Sequence, residues 1–119
     1  MLGKTVTVIV DRPLGSRHPN FPNLYYPVNY GYVEGIFSGD GEEQDAYILG
    51  IDTPLELFTG QIVAIIHRLD DVEDKWVVAP FEVQFDECEI IKATYFQEQH
   101  FNSIVYTFQG KRRYHETTF

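Results

Sequence analysis

The sequence predicts a mainly β chain with one C-terminal helix (α+β), built as a small closed, OB-like five-stranded β-barrel. Three observations predict it. Short β-branched or apolar runs recur at close spacing, turn residues punctuate them, and only one helix is signalled, late in the chain. The 119 residues carry no internal repeat, low-complexity tract or linker. That length reads as one domain, 1–119, able to bury a single hydrophobic core.

The first strand is expected over Thr5 to Val10, "TVTVIV", which is β-branched throughout. Four prolines then make Arg12 to Pro27 loop-like, and extended, tyrosine-rich chain follows to Phe37. "DAYILGI" from Asp45 and "QIVAIIH" from Gln61 are apolar runs, with Thr53-Pro54 and Thr59-Gly60 read as the punctuation between them. "DKWVVAP" is a further strand closed by Pro80. In "FDECEIIKATYFQEQHF", Asp86 is an N-cap, Glu89 its capping-box partner, and Phe85 and Ile90 stand at the staple positions, so a helix is expected to about His100. Strand character returns over Ser103 to Phe108.

Composition bounds the function. A net charge of −9 argues against nucleic acid, whose binding rests on basic side chains. For a phosphate-bearing ligand, the same charge requires a bound cation to invert the local field. The one cysteine, Cys88, suits a reducing compartment, and neither a membrane-length apolar run nor a signal segment is evident. The expectation is a soluble, cytoplasmic protein with no membrane partner.

Chemistry concentrates in "YYPVNYGYVEGIFSGDGEEQD", Tyr25 to Asp45, with four tyrosines, four glycines and four carboxylates in the last six residues. Asp40, Glu42, Glu43 and Asp45 stand between turn glycines and a buried run, at the mouth of a strand. Such a loop is either a solvated acidic turn or a site whose repulsion is offset by a cation. An EF-hand fits poorly, because "DGEEQDAYILGI" lacks a glycine at its sixth position and carries apolar residues where later ligands belong. Phosphate-loop, dinucleotide, serine-hydrolase and zinc-ribbon motifs are absent, and His18, His67, His100 and His115 have no ligand spacing.

The segment resembles the signature of the soluble, magnesium-dependent, barrel-forming inorganic pyrophosphatases, Y-P-x-N-Y-G-(F/Y) followed by D-G-D-P-x-D. Tyr26, Pro27, Asn29, Tyr30, Gly31 and Tyr32 fill the first part, and Asp40, Gly41, Glu42 and Asp45 the second at the right interval. Glu42 stands for the middle aspartate and Glu43 for proline. Upstream, "VIVDRPLGSR" is similar to V-x-I-E-I-P-x-G-S-R and places Asp11 at a metal-site glutamate. Downstream, "LDDVEDKWVVAP" is similar to the acidic loop ending in D-x-K-L-V-A-V-P, which brings in Asp70 or Asp71, Glu73 and Lys75. The resemblance runs from Val8 to Pro80.

The resemblance implies hydrolysis of pyrophosphate to two phosphates by a metal-activated water. Magnesium, with manganese as a possible substitute, would be held by Asp40, Asp45, Asp70, Glu73 and Asp11. Glu42 would be the general base, Tyr30 would bond near the nucleophile, and Tyr26 and Lys75 would reach phosphate oxygens. The residue types agree, since hard oxygen donors suit magnesium and bridged ions acidify water.

The chain also departs from the pattern. The hairpin that normally supplies a lysine, a glutamate and an arginine between the first strand and the tyrosine motif is missing, and Phe101 and Asn102 stand where a Tyr-Lys pair is expected. Losing one well-placed donor commonly costs about two orders of magnitude in rate. Arg12, Arg17, Lys111, Arg112 and Arg113 are the candidate replacements. The departures leave two alternatives beside inorganic pyrophosphate: another small phosphoanhydride on the same scaffold, or a non-catalytic metal- or anion-binding or assembly module. Bacterial members form symmetric assemblies, so a homo-oligomer is an open expectation.

Overall fold

The computed structural model describes residues 1–71 and 73–115. Its elements are β1 (Thr5–Arg12), β2 (Asn29–Phe37), β3 (Glu43–Ile48), β4 (Leu57–Arg68), β5 (Asp74–Ala79), α1 (Glu87–Glu98), β6 (Ser103–Thr107) and β7 (Lys111–Arg113). The sheet order is β1-β2-β3-β5-β4-β6-β7, and β1 also pairs with β4. That extra pairing closes β1, β2, β3, β5 and β4 into a five-stranded barrel, as expected, with β6 and β7 continuing outward from β4.

β4 closes the barrel because it is long enough to serve two neighbours. Its first residues pair with β1, Leu57 with Ile9 through Gln61 with Thr5, and the remainder pairs with β5 and β6. Thr59-Gly60 is therefore not a break: Gly60 lies inside the strand and pairs with Val6. A Cβ there would meet the Ala79 carbonyl oxygen at 2.4 Å, so the glycine is a close-approach residue rather than a turn. Gly31 has the same role where β2 crosses β1, since a Cβ would fall 1.9 Å from the Ile9 carbonyl oxygen.

The continuous apolar runs of β3 and β5 are buried on both faces. Ala46, Ile48, Trp76 and Val78 point into the barrel, where Val8, Val33 and Ile62 complete one core. Tyr47, Leu49, Val77 and Ala79 point the other way, into a second core covered by α1 through Ile90 and Phe96. The helix begins as expected: Asp86 Oδ1 accepts the Glu89 N–H at 2.8 Å, and Glu89 Oε1 accepts that of Asp86 at 3.0 Å. Ile90, Thr94 and Glu98, one face of the helix, are buried. No helix among the described residues is long and apolar enough to cross a membrane.

Between β1 and β2 the chain folds back on itself in a compact loop. Gly15 donates to the Tyr26 carbonyl, Tyr26 to that of Ser16 and His18 to that of Leu24, with a bridge between Arg17 and Tyr25. Fully buried Asn29 anchors the loop's end, accepting the N–H groups of Leu14 and Leu55 and donating to the Thr53 carbonyl. The asparagine of the tyrosine motif thus serves the fold.

Candidate active site

β3 and β5 are parallel, with Ala46 opposite Trp76. Because those two residues point into the barrel, Asp45 and Lys75, one position earlier, face the opposite side together. The Lys75 ammonium is only 3% exposed; it hydrogen-bonds Asp45 Oδ2 and, at 3.1 Å, Glu73 Oε1. Gln44 locks the two strand starts by donating to the Asp74 carbonyl at 2.6 Å. The two carboxylates beside it offset the cost of burying the ammonium group.

Asp40 approaches from the turn before β3. Its Oδ1 accepts the Ser38 hydroxyl at 2.5 Å and the Glu42 N–H at 2.9 Å, an arrangement that shapes the turn. Its carboxyl group also lies near that of Glu73. The two acids respond in opposite directions. Hydrogen bonds from Ser38 and the Glu42 backbone hold Asp40 down to about 2, whereas burial pushes Glu73 up, against the pull of Lys75.

Behind this pair lies a buried polar network that the sequence reading missed. Arg68 is 4% exposed and forms a fork with fully buried Glu98, Nε to Oε1 at 3.0 Å and Nη2 to Oε2 at 2.8 Å, while Nη1 reaches Glu73 at 3.1 Å. Burial works against the guanidinium charge, but the Glu98 fork outweighs it and Arg68 stays protonated. Tyr47 donates to Glu98 Oε2 at 2.6 Å and accepts Gln97 Nε2 at 2.8 Å; Gln97 Oε1 accepts the Tyr26 hydroxyl at 3.2 Å. Glu98 was findable: it repeats at four-residue spacing after Ile90 and Thr94 on the buried face of a helix, where a carboxylate needs a cation.

Tyr30 stacks between Tyr26 and Tyr47, with ring centroids 5.7 and 4.8 Å away, and Lys75 Nζ lies 5.9 Å from its ring. Burial, then the Asp45 charge, raises the Tyr30 phenol well above its ordinary value, so it is a neutral donor. Tyr26 is raised by burial too, with Arg12 beside it acting in the opposite sense. Asp11, 3.7 Å from the Arg12 guanidinium, is raised by burial and by Asp45 against the pull of Arg12. Both residues therefore border the cluster from β1.

The other sequence-derived positions lie apart from the Lys75 contacts. Glu42 is exposed, and its carboxylate accepts no hydrogen bond among the described residues. Glu43 accepts the Gly35 N–H at 2.9 Å. Asp70 is turned toward the segment after α1, where both its oxygens receive the Asn102 N–H at 3.2 and 3.3 Å; Asp71 pairs with Arg68 at 3.5 Å. Arg17 is engaged within its own loop, donating to the Pro22 carbonyl at 3.0 Å. Lys111, Arg112 and Arg113 form the exposed edge strand β7, separated from β5 by β4 and β6. At three strand spacings that is about 14 Å.

Hard oxygen donors of the kind magnesium prefers are present in Asp40, Asp45 and Glu73. Among the described residues no three Asp, Glu, His or Cys side chains converge as a ready-made ligand group. Magnesium does not demand one, since it is commonly held by one or two carboxylates together with substrate phosphates.

Fold and site together define a barrel protein with an acid-and-cation cluster at one rim. No family model matches the sequence, and no curated protein does. Solved structures do match. An inorganic pyrophosphatase from Ehrlichia chaffeensis is similar with a TM-score of 0.64 at 15% identity, over 95% of this chain and 88% of that one. One from Neisseria gonorrhoeae gives 0.62 at 18% identity, over 79% and 72%, and one from Coxiella burnetii 0.61 at 14%, over 96% and 89%. At these identities the likeness is one of fold.

Proposed function

We propose that this chain hydrolyses inorganic pyrophosphate, or a small phosphoanhydride like it, at the cluster of Asp40, Asp45, Glu73 and Lys75, with magnesium, or manganese in its place, as cofactor. The observation that carries the reading is the convergence of the spaced sequence motifs on one rim of a pyrophosphatase-like barrel.

Each residue has a task consistent with its surroundings. Asp40, anionic at neutral pH, and Glu73 with Asp45 would hold the metal. Lys75 spends two of its three donors on Asp45 and Glu73, leaving one for a phosphate oxygen. Arg12 and the neutral hydroxyls of Tyr26 and Tyr30 would orient the anion from the β1 side. Glu42 keeps its acceptor capacity uncommitted and would take the proton of the attacking water. When bound, magnesium supplies charge neutralisation for the phosphates and lowers the pKa of water.

Pyrophosphate turnover by Asp45→Asn and Glu42→Gln tests the assignment, because both substitutions keep size and remove a charge. Each should fall by about a hundredfold or more. Turnover near that of the unmodified chain in both would place the chemistry elsewhere.

A further inference from the structure

From Lys75 and Tyr30 of the proposed site a cleft of about 370 Å³ extends to side chains that an inorganic anion at Lys75 does not need. It is lined by Lys75 and Arg68, by His18 and Phe21 of the β1–β2 loop, and by His100 and Phe101 just after α1. We infer that this cleft takes the nucleoside part of a nucleoside di- or triphosphate, whose phosphoanhydride then lies over Lys75; the inference rests on reading the Lys75 cluster as a phosphoanhydride site.

Three features point to an aromatic, hydrogen-bonding occupant. Phe21 is 64% exposed, a phenyl ring on a short loop whose ring neighbour is His18, with centroids 5.0 Å apart. An exposed aromatic beside a phosphate-binding cation is the arrangement that stacks a base, and stacking tolerates any base because each has a π-face. Phe101 already holds a cation on its ring face, the Arg68 guanidinium 3.6 Å from its centroid. The edges are polar: His18 Nδ1 accepts the Asn20 N–H at 3.0 Å, so Nε2 carries the ring's proton and is a donor. The volume falls in the range of organic-ligand sites, roughly 300 to 1,000 Å³. The net charge of −9 argues against a nucleic-acid polymer but not against a single nucleotide bound together with magnesium. In the reaction, water would form a bond to the terminal phosphorus as the bridging P–O bond breaks. The nucleotide would leave shortened by one phosphate, and the water's proton would pass to Glu42.

Calorimetric titration of the full chain in magnesium, with the non-hydrolysable β,γ-imido analogue of adenosine triphosphate and with inorganic imidodiphosphate, tests this. The nucleotide analogue should bind about tenfold more tightly. Phe21→Ala should erase that advantage by raising the nucleotide Kd about tenfold while leaving imidodiphosphate unchanged, and Phe21→Trp should restore it. Equal dissociation constants for the two ligands, or a nucleotide Kd indifferent to Phe21→Ala, would overturn the inference. Hydrolysis of pyrophosphate without any nucleotide preference also overturns it and leaves the proposed function standing. Nucleotide binding that depends on Phe21, without hydrolysis of any phosphoanhydride, supports the cleft and removes the hydrolase reading.

Discussion

Lys75 and Asp45 meet because β3 and β5 run parallel in the register Ala46 to Trp76, which turns the two preceding side chains to the same face. Neutralising Lys75 leaves Asp45 and Glu73 close together without their common cation. Lys75→Met should therefore destabilise the fold in metal-free buffer by about 1–3 kcal/mol, less than a fully buried pair would show because Asp45 is one-third exposed. Urea denaturation of the two proteins measures it. Added magnesium should recover more stability in Lys75→Met than in the unmodified chain.

The magnesium proposal carries its own thermodynamic signature. An ion that binds only the folded protein adds about 2.7 kcal/mol at a hundred times its dissociation constant. Thermal melting with and without millimolar magnesium should show the gain, and Asp40→Asn should reduce it. A melting temperature indifferent to magnesium in the unmodified chain would contradict the proposal.

Asp40 and Glu73 make the metal-free protein respond to pH with opposite signs. Folding raises Glu73 above its ordinary 4.5, so its contribution is fully present below pH 4.5 and is lost as pH rises through the folded value. Asp40 falls from 3.8 to about 2, so its contribution is present above pH 3.8 and is lost toward pH 2. Glu73→Gln should accordingly gain on the unmodified chain between pH 4 and pH 7 in chelator. A stability difference that stays constant over that window would refute the upward shift of Glu73.

Glu98 has no solvent exposure and faces Arg68 through two hydrogen bonds. Glu98→Gln strips the guanidinium of its counter-charge and should cost about 3–5 kcal/mol. Chemical denaturation reads the loss. Arg68→Met/Glu98→Met, which removes both charges, should cost less than Glu98→Gln alone.

Much of this architecture was legible in local chemistry. The β-branched run at Thr5, the capping box at Asp86 and Glu89, and the double-faced apolar runs around Tyr47 and Val77 each declare their element, because the forces involved act between near neighbours. What escaped depends on distant partners. Thr59-Gly60 looks like a turn until Ala79 is seen pressing on Gly60. Arg68 reads as the polar end of a strand until Glu98, thirty residues on, is placed against it. The spacing of Asp40, Asp45, Glu73 and Lys75 singled out a candidate site, but the contact of Lys75 with Asp45 follows from the parallel pairing of β3 with β5.

Phosphate release from pyrophosphate by the full chain, followed with magnesium and then with excess chelator, tests the central claim most directly. The account predicts two phosphates per pyrophosphate in magnesium, release suppressed by chelation, and a fall of about a hundredfold or more in Asp45→Asn. No phosphate release from pyrophosphate in either condition, by a protein shown to be folded, would contradict it.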